Sequence, residues 1–439
     1  MIRSFGAESA MKYFEGGIPM KKLVALFLVL TMFLTMAVTT GALAEAEELT
    51  IWGPWSGTRA AQLQILIDKF NESQDKYHVS YVTTSNIQEK LLIALAGGDA
   101  PDLVQWDRFF TSTYAPKGAL VALDDLAARD NVDLNSFYEV GQRELTCNGK
   151  TYGITLSVDV RVYMYNKDLL EASGVDPSTI TNLDTLMEAA KQCTIRDENG
   201  NLVQTGFNFN NLFVTYIRMF DNHGVVDDSG EIPVMNVNND AGLAVLNYYH
   251  RWLYDDKVYD LGFDDSYSGD SFAAGKSVFT VNTNYKMNKY IDENGINVGV
   301  LPPLQPMTDT GAFACMIGGY SFAIPAASKN VEGAWEFIKW WSTSVENSVE
   351  YGKISGYLPG LKEAWNDEAF MSQENMKIVL DYLPYGYCRD TVLGYSEMES
   401  KALNADIQLF ISGELTAEEA LRHAEELGNQ ILADAAEEY

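Results

Sequence analysis

Between residues 49 and 106 the chain alternates two hydrophobic periods, and this alternation limits its fold more than any other feature. Residues 49–52 form a short apolar run ending in Trp52. After a Gly/Pro turn, Leu63, Leu66, Ile67 and Phe70 recur at three- and four-residue spacing, the stripe of an amphipathic helix. A second strand is expected at 79–82. The next helix has Asn86 as its N-cap, Glu89 three residues on, and Gly97-Gly98 as its stop signal. Residues 103–106 make a third strand after Asp99-Ala100-Pro101-Asp102. Strands separated by helices are the signature of βαβ units and a largely parallel sheet.

The same grammar restarts at 161–166, followed by a helix over 167–173 closed by Gly174. Thr181 and Asp184 fit a capping box for a helix running to Cys193. Residues 196–203, centred on Asn199-Gly200, read as a hairpin. A long helix over 240–254, a strand at 278–281, an apolar segment at 320–324 and a helix over 331–342 follow. At least two C-terminal helices end the chain, the last announced by a capping box of Thr416 and Glu419. No repeat, low-complexity tract or long linker interrupts this order, so two α/β lobes are expected to be joined by several short crossings. Ligands of open α/β sheets bind at the carboxyl ends of the strands, which makes the loops after Trp52, Trp106 and Val281 candidate binding loops.

The first 44 residues stand apart. Met20-Lys21-Lys22 precedes an apolar run at 23–38 and the triplet Ala42-Leu43-Ala44, the layout of a secretory signal peptide starting at Met20 and cleaved after Ala44. The run is about 16 residues, short of the roughly 20 that span a bilayer. No Cys follows the cleavage site, so an exported chain without a lipid anchor is expected. Loss of Arg3, Lys12, Lys21, Lys22, Glu8 and Glu15 takes the net charge from −30 to −32. Such a surface repels nucleic acid and anionic headgroups. Cys147, Cys193, Cys315 and Cys388 never approach C-x-x-C spacing; disulfides and small buried thiols both fit.

Catalytic motifs are poorly represented. The Walker-like string at 269–277 has one residue too many between its glycines, and a strand follows it where a phosphate loop needs a helix. His78, His223, His250 and His423 never pair at i, i+4, so no HExxH zinc site exists, and no G-x-S-x-G elbow appears. Asp124-Asp125, Asp255-Asp256 and Asp264-Asp265 carry little information in a chain with 61 acidic residues. Aromatic residues in loops stand out instead: Trp55, Trp106, Tyr285, Tyr320, Tyr357 and Tyr387, several beside Asp, Asn or Arg. An aromatic ring matches the C–H face of a sugar, and planar polar side chains match its hydroxyls. Trp52, on its strand, reads as core; Trp55 and Trp106 read as cleft residues.

In order along the chain, these segments resemble the extracellular solute-binding protein family 1 of ABC importers. The resemblance rests on Leu49-Thr50-Ile51-Trp52 with its Gly-rich turn, on Gly98-Asp99-Ala100-Pro101-Asp102, and on Lys117-Gly118-Ala119-Leu120-Val121-Ala122-Leu123. It continues through Tyr163-Met164-Tyr165-Asn166-Lys167-Asp168-Leu169-Leu170, the segment 318–338, and the closing 413–421. The crossover helix departs from the family pattern, with Thr181-Asn182-Leu183-Asp184-Thr185-Leu186 lacking the usual Trp.

The resemblance implies an α/β, type II periplasmic-binding-protein fold: two lobes around a ligand cleft, joined by hinge crossovers near Arg161, Gly318 and Pro359. Residues 45–160 with 318–359 would form one lobe and 161–317 with 360–439 the other. It implies a carbohydrate ligand, permease subunits of an importer as partners, a monomer, and neither cofactor nor metal. By position, the ligand-binding residues would be Trp55, Ser56, Trp106, Asp107, Arg108, Asp159, Arg161, Asn210, Asn282, Asn284, Tyr285, Gly319, Tyr320 and Tyr357. Trp106 and Tyr285 would stack on the sugar, and Asp107 would accept from its hydroxyls or, alternatively, cap a helix begun by Phe109-Phe110. A secreted carbohydrate-active enzyme and a sugar sensor for a membrane kinase are the competing readings.

Overall fold

The computed structural model describes residues 46–373 and 375–437; the leader read in residues 1–44 lies outside them. The chain opens with β1 (Glu47–Gly53), α1 (Gly57–Ser73), β2 (Tyr77–Thr83), α2 (Ile87–Gly97) and β3 (Leu103–Asp107). After short helical segments come β4 (Ile154–Thr155) and the ten-residue β5 (Ser157–Asn166). The middle of the chain supplies α3 (Leu183–Cys193), β6 (Ile195–Arg196), β7 (Leu202–Phe207), α4 (Phe213–Phe220), α5 (Asp240–His250), β8 (Ser277–Thr283), β9 (Val298–Val300) and β10 (Cys315–Gly318). The last part holds β11 (Tyr320–Ala323), α6 (Val331–Ser342), α7 (Val345–Ser355), β12 (Leu358–Pro359), β13 (Gly386–Tyr387), α8 (Asn404–Ile411) and α9 (Ala417–Glu437).

Two sheets result. The first runs β2-β1-β3-β11-β4; the second runs β13-β10-β5-β8-β7-β6, with β9 and β12 also paired to β5. Both are mixed, which corrects the expectation of a largely parallel sheet. β1 is parallel to β2 and β3, and β7 to β8, as βαβ units require. The strands that carry the chain between sheets run the other way: β11 is antiparallel to β3, and β5 is antiparallel to both β8 and β10.

Each sheet is covered on both faces. The stripe Leu63, Leu66, Ile67 and Phe70 of α1 packs with Leu49, Ile51, Leu103 and Phe322, while Val104 and Trp106 pack against Ile87 and Leu91 of α2. The second sheet buries Val160, Val162, Met164 and Phe207 among α3, α4 and α5. Asp102 joins β1 to the segment after β11, its carboxylate accepting from Thr50 N at 3.0 Å and Ser328 Oγ at 3.2 Å.

Local signals fared unevenly. Thr416 and Glu419 form the reciprocal box read for α9, and β6 and β7 pair as a hairpin around Gly200. Asn86 sits in the left-handed region (φ 51°) and makes no side-chain cap bond. The box of α3 is formed by Asn182 and Thr185, one residue beyond Thr181 and Asp184, because Asn182 is the last extended residue. All four cysteines are free.

The chain passes between sheets through single residues, at Leu156 between β4 and β5 and at Gly319 between β10 and β11, and again where α7 leads into β12. These passages lie side by side: Leu156 N donates to Tyr320 O at 3.0 Å, and β12 pairs with Ser157 and Val158.

Candidate functional site

Where β7 and β8 end beside β5, a cavity of about 400 Å³ opens. Its walls are Arg161, residues 210–215, Asn282, Thr283, Tyr285, Lys286, Met316, Arg389, Glu399 and Asn404. Four carboxamides, Asn210, Asn211, Asn282 and Asn404, bring both donors and acceptors to one space. Three donate to a neighbour: Asn210 Nδ2 to Val281 O, Asn282 Nδ2 to Tyr290 Oη, and Asn211 Nδ2 to Asn404 Oδ1 within the wall itself. The buried Thr283 hydroxyl has no hydrogen-bond partner.

The arginines here are compensated. Arg161 Nη1 lies 2.6 Å from Asp159 Oδ1, one pleat away on the same face of β5. Arg389 Nε donates to Glu399 Oε2 at 3.2 Å, and its Nη1 stands 4.0 Å from Asp107 Oδ2 across the gap between lobes. Burial works against the Arg389 charge, but Glu399 and Asp107 hold its pKa above the ordinary value. Burial likewise raises the Asp107 carboxyl, opposed by Arg389 and by the Phe109 N–H it accepts. The cavity therefore presents polar groups with little net charge.

Behind Tyr285, which lines the cavity, stands an aromatic cluster. Trp55 meets Tyr320 edge-on at 4.6 Å, Tyr285 lies 4.7 Å from Tyr357, and the Arg59 guanidinium sits 4.5 Å above the Tyr285 ring.

Of the residues expected at the site, Arg161, Asn210, Asn282 and Tyr285 line the cavity. Asp159 and Asp107 reach it through the arginines they hold. Asp107 also caps the turn at 108–110, accepting from Phe109 N at 3.1 Å, so the geometry of the competing cap reading is present. Tyr320 is half-buried in the aromatic cluster, and Ser56 is exposed at the N-cap of α1 without a side-chain cap bond.

Six expected site residues are corrected. Trp106 is fully buried, because β3 lies between β1 and β11 and is covered on both faces; its ring packs on Phe110 and Tyr114. Arg108 is also fully buried, bound to Glu144 and to the carbonyls of Ser157 and Gly318. Asn284 spends both ends of its amide internally, on Val160 N and Gly356 O. Trp55 and Tyr357 are core residues behind Tyr320 and Tyr285, since the turn after β1 folds inward onto the Tyr81 hydroxyl. Gly319 is buried at the crossing, where it allows a close approach of chains and offers no side chain.

Sequence reasoning missed Arg59, Thr215, Lys286, Met316, Arg389, Glu399 and Asn404. One signal was available for Arg59: a cation in the first turn of α1 opposes the helix dipole, so it needs another reason to be there. Arg389, Glu399 and Asn404 reach the cavity only because the C-terminal segment folds back on the second lobe, which no local pattern announces.

The family model for bacterial extracellular solute-binding proteins matches residues 54–347. The arabinooligosaccharide-binding protein of Bacillus subtilis is 25% identical over 368 residues, 80% of this chain and 83% of that protein. The maltotriose-binding protein of Pyrococcus abyssi is 22% identical over 73% of this chain and 68% of its own. Among solved structures, the cyclic alpha-maltosyl-1,6-maltose binding protein from Arthrobacter globiformis superposes with a TM-score of 0.72 at 20% identity, covering 89% of this chain and all of the other.

Proposed function

Since the chain belongs to the family of bacterial extracellular solute-binding proteins, we propose that it captures an oligosaccharide between its lobes and delivers it to the permease of an ABC importer. The observation that carries this reading is the cavity at the ends of β7 and β8. Its carboxamides and hydroxyls can both donate to and accept from sugar hydroxyls, a Tyr edge borders it, and its arginines are already compensated. A receptor role suits the site better than catalysis, because Asp107, Asp159 and Glu399 are each engaged by an arginine. Sugar-binding relatives support the ligand class. In this reading the protein acts outside the cytoplasm as a monomer. One lobe is built on the sheet of β1 to β4 with β11 and the other on the sheet of β5 to β10 with β12 and β13, so the boundaries expected at 160 and 318 move to the crossings at 156 and 319, and the lobes close about these and about 356–357.

A thermal-shift screen over mono- and oligosaccharides tests the reading. A ligand at a hundred times its dissociation constant stabilises the native state by roughly 2.7 kcal/mol, so a matching sugar should raise the melting temperature visibly. A flat response across neutral and acidic oligosaccharides removes carbohydrate as the ligand class.

Asp107 belongs to the ligand site in this proposal. Hydrogen bonds to charged groups are worth about 1.5–3 kcal/mol, so Asp107→Ala should weaken sugar binding by roughly ten- to a hundred-fold. The cap at Phe109 N adds a second expected loss, about 1 kcal/mol of folding stability. Titration calorimetry and urea unfolding of the same variant separate the two. Normal affinity beside a lowered unfolding midpoint leaves Asp107 as a cap only.

A further inference from the structure

A second interlobe groove, also about 400 Å³, lies on the far side of Tyr285 and Lys286, the two residues it shares with the cavity described above. One wall is the first turns of α1 with the end of α7, and the other is the helical turn after β8. Its lining holds four cations against two carboxylates. Arg59, Lys286, Lys289 and Lys353 converge on it, in a chain whose net charge is −30. Asp292 and Glu293 stand exposed at the rim, and neither lies within ion-pair distance of these four cations. Of these four, only Lys286 has a carboxylate neighbour among the described residues, Asp270 at 3.5 Å. Among the described residues Arg59, Lys289 and Lys353 form no ion pair, although acidic residues outnumber basic ones 61 to 31 in the sequence.

Arg59 is held for recognition by its surroundings. Its guanidinium carbon lies 4.5 Å from the centre of the Tyr285 ring, a contact that restrains the side chain, and it sits in the first turn of α1, where a cation is disfavoured. Tyr357 lines the same groove; it is 2% exposed and its hydroxyl has no hydrogen-bond partner. A planar anion would take the arginine fork in bidentate fashion and offset the mutual repulsion of the four cations.

We propose that this groove is a carboxylate subsite, so that the ligand is an acidic, uronate-bearing oligosaccharide whose neutral residues occupy the carboxamide-lined cavity and whose carboxylate reaches past Tyr285 to Arg59. This rests on the carbohydrate reading above and narrows its substrate class. The groove has walls from both lobes, so the carboxylate also bridges Arg59 of one to Lys286 and Lys289 of the other.

The test uses matched ligands on the full protein. Oligogalacturonates and glucuronic-acid-bearing xylo-oligosaccharides of two to four residues are titrated calorimetrically beside their carboxyl-reduced forms and neutral arabino-, malto- and manno-oligosaccharides. The tightest binder should carry a carboxylate, and its reduction should weaken binding by about ten-fold or more, the loss expected for a charge-assisted hydrogen bond. Arg59→Gln should erase that preference, and independently the exposed double replacement K289Q/K353Q should erase it while leaving affinity for the reduced form unchanged. The double variant removes no buried contact and so keeps the test free of folding effects. Equal binding of acidic and reduced forms, or a preference that survives both variants, overturns the carboxylate subsite and leaves the neutral-sugar reading standing. Binding of no saccharide of either kind removes both.

Discussion

Replacing Arg108 by Met should cost about 3–5 kcal/mol of folding stability, the range measured when one partner of a buried ion pair is removed. Arg108 is fully buried, and its guanidinium donates in three directions: to Glu144 at 3.0 Å, to Ser157 O at 2.6 Å and to Gly318 O at 2.8 Å. Ser157 and Gly318 flank the two single-residue crossings, Leu156 and Gly319, so one side chain ties together the strands that join the lobes. Methionine fills much of the volume but leaves two carbonyls without these donors and Glu144 without its cation. Burial pushes the Glu144 carboxyl up to about 7 even with Arg108 opposing it.

The sign of the pH dependence follows. A carboxyl whose folded pKa exceeds its unfolded value favours the folded state below the unfolded pKa, and that contribution is lost as pH rises through the folded one. In the variant the Glu144 pKa climbs further, so the deficit against the parent protein should be largest near pH 8 and smaller near pH 5, where Glu144 is neutral. Urea unfolding at both pH values measures it. A deficit below about 1 kcal/mol at pH 8 would show that the three bonds add little beyond packing.

Arg108 also shows where sequence reasoning stops. The order of strands and helices was legible because burial has a period: Leu63, Leu66, Ile67 and Phe70 mark one face of α1 without any knowledge of what they meet. Motif order carried the family likeness, and Arg161, Asn210, Asn282 and Tyr285 followed from it. What a run such as Trp106-Asp107-Arg108 does is a different matter. In sequence it reads as ring, acceptor and donor set out for a sugar. In the fold, β3 is a central strand, Trp106 points into the α2 side of the core, and Arg108 turns back under the crossings. Only Asp107 remains near the cleft.

The misreadings share a cause. A loop residue beside glycine or proline is not thereby exposed: Trp55 follows Pro54 and precedes Ser56-Gly57, yet the Tyr81 hydroxyl accepts from its N–H and the ring lies under Tyr320. Conversely, Arg389, Glu399 and Asn404 lie more than a hundred residues from β8 in sequence. They meet Asn282 and Thr283 because a long segment after β12 packs back against the second sheet. Such contacts depend on tertiary closure, which leaves no periodic trace.

Gly319→Ala is expected to destabilise the protein by roughly 2–6 kcal/mol, adding about 1–3 for strain at a disfavoured backbone angle to about 1–3 for overpacking. Gly319 has φ +143°, a conformation that L side chains rarely adopt. A Cβ there would stand 2.1 Å from Ser157 O and 2.2 Å from Arg108 Nη1. The first contact is backbone and cannot rotate away, so the two crossings must part. Gly319 is the sole residue between β10 and β11, and parting them shifts one lobe against the other; sugar affinity should therefore fall together with stability. Gly413→Ala is the control. Gly413 also has positive φ, at 81°, but nothing lies within 4 Å of its added Cβ, so this variant reports the backbone strain alone. Gly318→Ala is the second comparison, because its Cβ would meet the Asp159 carboxylate at 2.7 Å, a side chain that can swing aside at the expense of its pairing with Arg161. Unfolding midpoints should rank Gly319→Ala lowest, with Gly413→Ala nearest the parent. If Gly319→Ala proves no worse than Gly413→Ala, the crossings are loose enough to absorb a methyl group, and the tight joint described between Ser157, Arg108 and Gly319 does not govern how the lobes meet.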